Sequence, residues 1–127
     1  MCNKVIKENL EGIAESIELI ARRFSSVRKP DDFVLNTDGV LLLDSICMRL
    51  QIIGELLKNI HKNNQDLLPA YPEINRPSIM KLRDIISHHY EHVDFEMVYD
   101  ICENHIPPLQ RVIQLIMDEY PRKPAKT

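Results

Sequence analysis

Apolar residues recur along the first part of the chain with the period of an α-helix. Ile6, Leu10, Ile13, Ile17, Ile20 and Phe24 follow one another at steps of 4, 3, 4, 3 and 4, while Lys7, Glu11, Glu15, Glu18 and Arg22 fall on the opposite side. An alternation of three and four keeps side chains on one stripe of a helix, so the pattern predicts one long amphipathic helix. Leu43, Ile46, Leu50, Ile53, Leu57 and Ile60 repeat it. Two matching stripes of roughly 25 residues each predict antiparallel packing in a bundle.

Proline marks the boundaries, because it breaks a helix interior. The eight prolines stand at positions 30, 69, 72, 77, 107, 108, 121 and 124 and leave four long windows between them. Arg28 to Asn36, containing Pro30, reads as a loop, and Thr37 or Asp38 is expected to cap the second helix. Leu68 to Pro77 reads as a break with room for one short turn. Ile79, Leu82 and Ile86 define a third helix, entered through Pro77 or capped by Ser78. Asp94 is an N-cap for a fourth helix through Phe95, Val98, Ile101 and Cys102. Pro107 and Pro108 open a last helix with Leu109, Val112, Ile113 and Ile116. The reading is all-α, an up-and-down bundle of four or five helices. Residues 1–120 are expected to form a single helical domain, followed by a basic flexible tail at 121–127.

Composition agrees with this. Apolar residues are 44% of the 127, enough for a core; aromatics are 6%, Trp is absent and Gly occurs three times. Sandwiches and barrels draw on aromatic strands and Gly-rich turns, so they are disfavoured. The three cysteines, Cys2, Cys47 and Cys102, lie far apart with no C-x-x-C pair, so Cys47 and Cys102 read as small core residues in a reducing compartment. Lys4, Lys7 and Glu8 interrupt what a signal peptide needs, and the longest aliphatic run, Val40 to Leu43, is far short of a membrane span. A soluble, cytoplasmic protein with no membrane partner is expected. The net charge of −3 disfavours a broad basic surface for nucleic acid, so any such contact must be local.

One stretch gathers reactive side chains: Arg83-Asp84-Ile85-Ile86-Ser87-His88-His89-Tyr90-Glu91-His92, with three of the five histidines. Histidine exchanges protons near neutral pH and arginine presents a fork to phosphate oxygens, so the set suits phosphoryl chemistry better than acyl transfer. His88 and His92, four apart, could share a helix face for a metal. Two ligands are too few for a catalytic zinc, however, and the order is not H-E-x-x-H. A nucleophilic pair of Cys102 with His88 or His105 has nothing in the sequence to bring it together, and no P-loop is present. The bland alternative is a polar helix end with exposed histidines. His61 and His105 read as helix-end residues.

Arg83-x4-His88-His89-Tyr90 matches the R-x4-H-x-Y motif, and the chain here resembles the HepT-like toxins of the HEPN superfamily. Ile53-Gly54-Glu55 resembles the family's I-G-E on the second long helix, and Pro72-Glu73-Ile74 its P-E-I segment before the motif helix. Leu82-Arg83-Asp84 resembles the apolar-Arg-polar triplet. Val93-Asp94 with Tyr99, and Pro107-Pro108-Leu109, resemble the downstream helix and its P-P-L boundary. The likeness runs in order over roughly residues 5 to 118. It departs at Asn75-Arg76, where the family often has Pro-Trp, and at His89, where Gly is common.

The resemblance implies a five-helix bundle that dimerises with the motif in the interface cleft. It implies the toxin of a type II/VII toxin–antitoxin system, an endoribonuclease that needs no metal or other cofactor, with RNA as substrate. It further implies a cognate nucleotidyltransferase antitoxin of the minimal MntA type that transfers AMP to Tyr90. Arg83 and His88 would be catalytic, with Asp84 and Tyr90 in support. The alternative is a non-catalytic substrate-binding partner of such a nucleotidyltransferase.

Helix geometry adds a constraint. Five residues advance an α-helix by about 500°, so Arg83 and His88 would lie about 140° apart and about 7.5 Å along the axis. Either the helix distorts after Ser87 or the two groups converge across a two-fold, which favours a homodimer with an isologous interface. Tyr90, seven residues from Arg83, returns to within about 20° of its face on a regular helix. The alternative for Tyr90 is an aromatic that closes the end of the core. Asp84 either orients Arg83 or His88, or is a solvated i,i+4 partner of His88. Glu55 either anchors a basic group near the cleft or is exposed. A two-fold would also double the positive charge of Arg83, with Arg76 and Lys81 as further contributors, in an acidic chain.

Overall fold

The structure, a computed structural model, describes residues 2–74, 78, 79, 81, 82, 84 and 94–120. The described residues contain helices and no strand. The long helices are α1 (Cys2–Phe24) and α2 (Thr37–Asn63). A short helix α3 (Phe95–Asp100) and a helix α4 (Ile106–Glu119) complete the set, joined by a π turn (Ile101–His105). Ser78, Ile79, Lys81, Leu82 and Asp84 are also helical, within the predicted third helix.

The two stripes form the middle of the core. Ile6, Leu10, Ile13, Ile17 and Ile20 of α1, and Ile46, Leu50, Ile53 and Ile60 of α2, are 0–1% exposed. The helices run antiparallel. Gly12 lies beside Leu56, whereas Ser16, one turn further along α1, accepts a hydrogen bond from Arg49, two turns back along α2. Leu109, Val112, Ile113 and Ile116 of α4 close the same apolar cluster, and Cys47 and Cys102 are buried within it. Burial pushes both thiols up, Cys47 to about 11 and Cys102 to about 12, with Asp44 adding to the first and Cys47 to the second. A thiol held protonated in this way behaves as a small apolar residue.

The connection between α1 and α2 is more ordered than its sequence suggests. Pro30–Phe33 form a 3-10 turn whose start is tied down by Asp32, with Oδ2 accepting from the amides of Arg28 at 2.8 Å and Lys29 at 3.3 Å. Phe33 is fully buried, with its ring 6.4 Å from that of Phe24. Tyr99 of α3 stacks edge-on against Phe24 at 5.1 Å, and its hydroxyl donates to the Arg28 carbonyl at 2.9 Å. Helix α2 is capped by Asn36, not by Thr37 or Asp38. The Asn36 side-chain oxygen accepts from the Gly39 amide at 2.8 Å, one of the free donors of a first helical turn. Gly39 itself is required by close approach, since a Cβ there would stand 2.1 Å from the Asp32 carbonyl oxygen.

The break after α2 holds one 3-10 turn, Leu68–Ala70, as expected. Asp94 caps α3, accepting from the Met97 amide at 3.0 Å. The fourth and last helices, expected to be separated at Pro107 and Pro108, are continuous. Helical backbone continues through the π turn, in which the Ile106 amide bonds to the Ile101 carbonyl five residues back. Pro107 and Pro108 follow at once. They lack N–H donors, and in a regular helix their rings would press on the carbonyls of Glu103 and Asn104. Widening the turn by one residue relieves that crowding and lets α3 run into α4. The predicted tail, 121–127, lies outside the described residues.

Candidate functional site

Of the four residues that the sequence nominated, Asp84 is described, and it is exposed at a helical position. Arg83, His88 and Tyr90 lie outside the described residues, as do His89, His92 and Arg76. What the structure defines is the frame on either side of the motif: the turn before Arg83 and the helix that packs against it.

Leu82 is 2% exposed and belongs to the core, with Ile79 half-buried beside it. This apolar anchoring is what the spacing of Ile79 and Leu82 predicts. The polar side of the same stretch meets the π turn. Lys81 Nζ donates to Asp100 Oδ2 at 2.6 Å, and Ser78 Oγ lies 2.6 Å from His105 Nδ1. His105 Nε2 is 3.4 Å from both Lys81 Nζ and Asp100 Oδ2. Asn104 Nδ2 donates to the second carboxylate oxygen of Asp100 at 2.7 Å. Hydrogen bonds from Lys81 and Asn104, with the nearby Lys81 and His105 charges, hold the Asp100 carboxyl below its ordinary value against a smaller effect of desolvation.

This cluster changes two readings. His105 is not a bare helix-end residue but the centre of a contact between two elements, with its side chain only 19% exposed. Lys81 is paired with Asp100, so its charge is already compensated and does not stand free to add to a basic cleft. Sequence reasoning passed over Asp100 and did not connect it with His105, because their proximity depends on the π turn; the signal available was the Pro107-Pro108 pair. Glu55 is exposed, and so is His61 in the last turn of α2.

Between the motif-bearing stretch and the π turn lies a cavity of about 160 Å³. Ile79, Leu82 and Leu109 supply apolar wall, and Ser78, Asn104 and His105 supply polar atoms. The Ser78–His105–Asp100 order has the residue types of a hydrolytic triad. Its long 3.4 Å His–Asp separation and the competing lysine make it a structural contact instead. Among the described residues no three His, Cys, Asp or Glu side chains gather as metal ligands, and no helix is long and apolar enough to cross a membrane.

Comparison with known proteins places this frame. A Methanocaldococcus jannaschii protein named "Gamma-glutamylcyclotransferase and putative RNase" is 32% identical over 116 residues, covering 91% of this chain and 49% of that protein. A second protein of the same organism, named as an RNase in the same terms, is 29% identical over 75 residues, 58% of this chain and 60% of its own length. The chain thus spans about half to three-fifths of these two relatives. A Thermococcus cleftensis protein named "Probable ribonuclease HepT" is 33% identical over 104 residues, 82% of this chain and 88% of that protein. No solved structure gives a significant match. The family model described as "Ribonuclease HepT-like" matches residues 6–116, from the first buried residue of α1 to the last of α4. The chain therefore belongs to the HepT-like ribonuclease family.

Proposed function

We propose that this protein is a metal-independent endoribonuclease, with Arg83 and His88 as its catalytic residues. The observation that carries the reading is the R-x4-H-x-Y motif, Arg83 to Tyr90, lying inside the family match over residues 6–116. In this reading His88 takes the proton from a ribose 2′-hydroxyl, whose oxygen attacks the adjacent phosphorus. The P–O5′ bond breaks, O5′ receives a proton, and a cyclic 2′,3′-phosphate remains on the upstream fragment. Arg83 stabilises the charge that gathers on the non-bridging oxygens, its planar fork matching two of them. The nucleophile belongs to the RNA, so the step asks for no metal.

The active unit in this reading is a homodimer. The offset of about 140° between positions 83 and 88 on a regular helix is overcome when the two groups converge across a two-fold. A two-fold also supplies one histidine as base and another as acid. The protein is then the toxin of a toxin–antitoxin pair, and its partner is a nucleotidyltransferase that places AMP on Tyr90. That modification would set a phosphate close to Arg83 and occupy the place of the substrate phosphate.

The test is cleavage of RNA by purified, unmodified protein beside His88→Ala and Arg83→Ala. Both variants are expected to lose at least a hundredfold of the rate while keeping the wild-type thermal midpoint. Equal activity in all three would remove the assignment and leave a non-catalytic partner of a nucleotidyltransferase. Intact mass after exposure to the cognate enzyme and ATP should rise by whole AMP increments, and Tyr90→Phe should abolish them. Full activity in monomers held apart by dilution would refute the shared site.

A further inference from the structure

Asp100 and His105 are five residues apart, yet Asp100 Oδ2 and His105 Nε2 approach to 3.4 Å. On a regular α-helix residues i and i+5 are turned about 140° from each other, so their side chains diverge. The π turn shrinks that offset, because its i→i+5 bonding brings residues five apart onto the same face, as i and i+4 are in an α-helix. Both side chains consequently face the helical stretch that carries Ser78 and Lys81. Those two stand three residues apart, on one face of their helix. Each meets one member of the opposing pair at 2.6 Å, Lys81 with Asp100 and Ser78 with His105. Asn104 steadies the Asp100 carboxylate from its far side.

The arrangement has a mechanical meaning. The core contacts of Leu82 and Ile79 set how far this stretch stands from the bundle, but apolar packing is non-directional and fixes the roll of the helix about its axis only loosely. Two polar contacts a turn apart on another side remove that freedom. The Lys81 and Asp100 side chains are 38% and 39% exposed, and ion pairs so open to water add little to overall stability. Orientation is what this pair of contacts supplies.

We propose that Asp100 and His105 are positioning residues, which clasp Lys81 and Ser78 and thereby fix the rotation of the turn that presents Arg83, between Leu82 and Asp84, to the substrate. The activity readout rests on the ribonuclease reading; the clasp itself does not. The test combines Lys81→Glu, Asp100→Lys and the double exchange, with kcat and KM on an unstructured RNA, thermal midpoint, and amide hydrogen exchange over residues 78–92. Each single variant is expected to lose at least tenfold in kcat with KM within twofold and a midpoint within a few degrees. Amide protection over 78–84 should fall in both. The double exchange, which restores the pair with its signs reversed, should recover protection and return kcat to within about threefold of wild type. Asp100→Asn, nearly isosteric, serves if a charge reversal unfolds the chain, and His105→Gln tests the Ser78 contact in the same way. Unchanged kcat and protection in the single variants, or a double variant no better than either parent, would overturn the clasp. If the wild-type protein cleaves no RNA, the ribonuclease reading fails, and amide exchange alone decides on the clasp.

Discussion

The α1–α2 pair and the contact between the motif-bearing stretch and the π turn are held together by opposite means. The helix pair is an apolar ladder in which most rungs are completely buried, so its stability is spread over many equivalent contacts. The other contact is a small polar cluster, partly open to water, in which four side chains determine the geometry. Dispersed burial tolerates small errors of orientation, whereas a few directional bonds define an angle. A scaffold is suited to the first, and the proposed aiming of a guanidinium to the second.

That contrast can be broken at several points. The largest effect on stability is expected for Ile53→Ala, which empties part of the buried ladder. Large-to-small changes of this kind cost about 2–5 kcal/mol, and chemical denaturation should show a lower midpoint with an unchanged slope. Turnover of the fraction still folded should be normal; a comparable loss from Lys81→Glu would mean that the clasp is part of the scaffold after all. Gly39→Ala comes next. The added methyl meets the Asp32 carbonyl, which is backbone and cannot swing aside, and overpacking of this kind costs about 1–3 kcal/mol. The 3-10 turn should loosen, giving faster amide exchange around Phe33. Asn36→Ala removes the cap of α2 and should cost about 1 kcal/mol, read in the same denaturation experiment.

The smallest effect is a pH dependence, and it sharpens the comparison most. The Asp100 carboxyl titrates below its ordinary value of 3.8 in the folded protein. Its contribution to stability is then present above that value and is lost as pH falls through the lower, folded-state one. Wild type should exceed Asp100→Asn in stability at neutral pH by less than about 1 kcal/mol, as for exposed pairs generally, and the two should converge below pH 3.8. A pH-independent difference would assign the role of Asp100 to shape instead of charge.

The same division governs what could be read from the chain. Periodic burial leaves a periodic trace, so Ile6 to Phe24 and Leu43 to Ile60 marked both long helices, their buried faces and their pairing. Asp94 declared itself as a cap because capping is a local preference. Phe33 did not, since a single aromatic in a polar loop gives no sign that it will pack against Phe24, which Tyr99 backs from far along the chain. The π turn left no hydropathic mark either. Cys102 to Ile106 is an ordinary helical step, so the stripe reads as unbroken while the backbone beneath it gains a residue. The clasp was hidden for the same reason, because Asp100 and His105 look unrelated until the turn between them widens. In the motif itself, the ordered agreement with a known family carried the reading, as no periodicity distinguishes a catalytic histidine from an exposed one.

The two prolines after the π turn have a consequence for how readily the clasp assembles. The Glu103 carbonyl has no donor four residues ahead, at Pro107, and none five ahead, at Pro108, so a return to regular spacing would gain that carbonyl no helical bond. The widened turn is thus encoded in its own segment and does not wait for Lys81 or Ser78 to impose it. Asp100 and His105 are brought to one face before they have anything to hold. The ordering entropy is lost when the helix forms and not when the motif-bearing stretch docks. The receptor half of the contact is preorganised, and only the half next to Arg83 has to find its place.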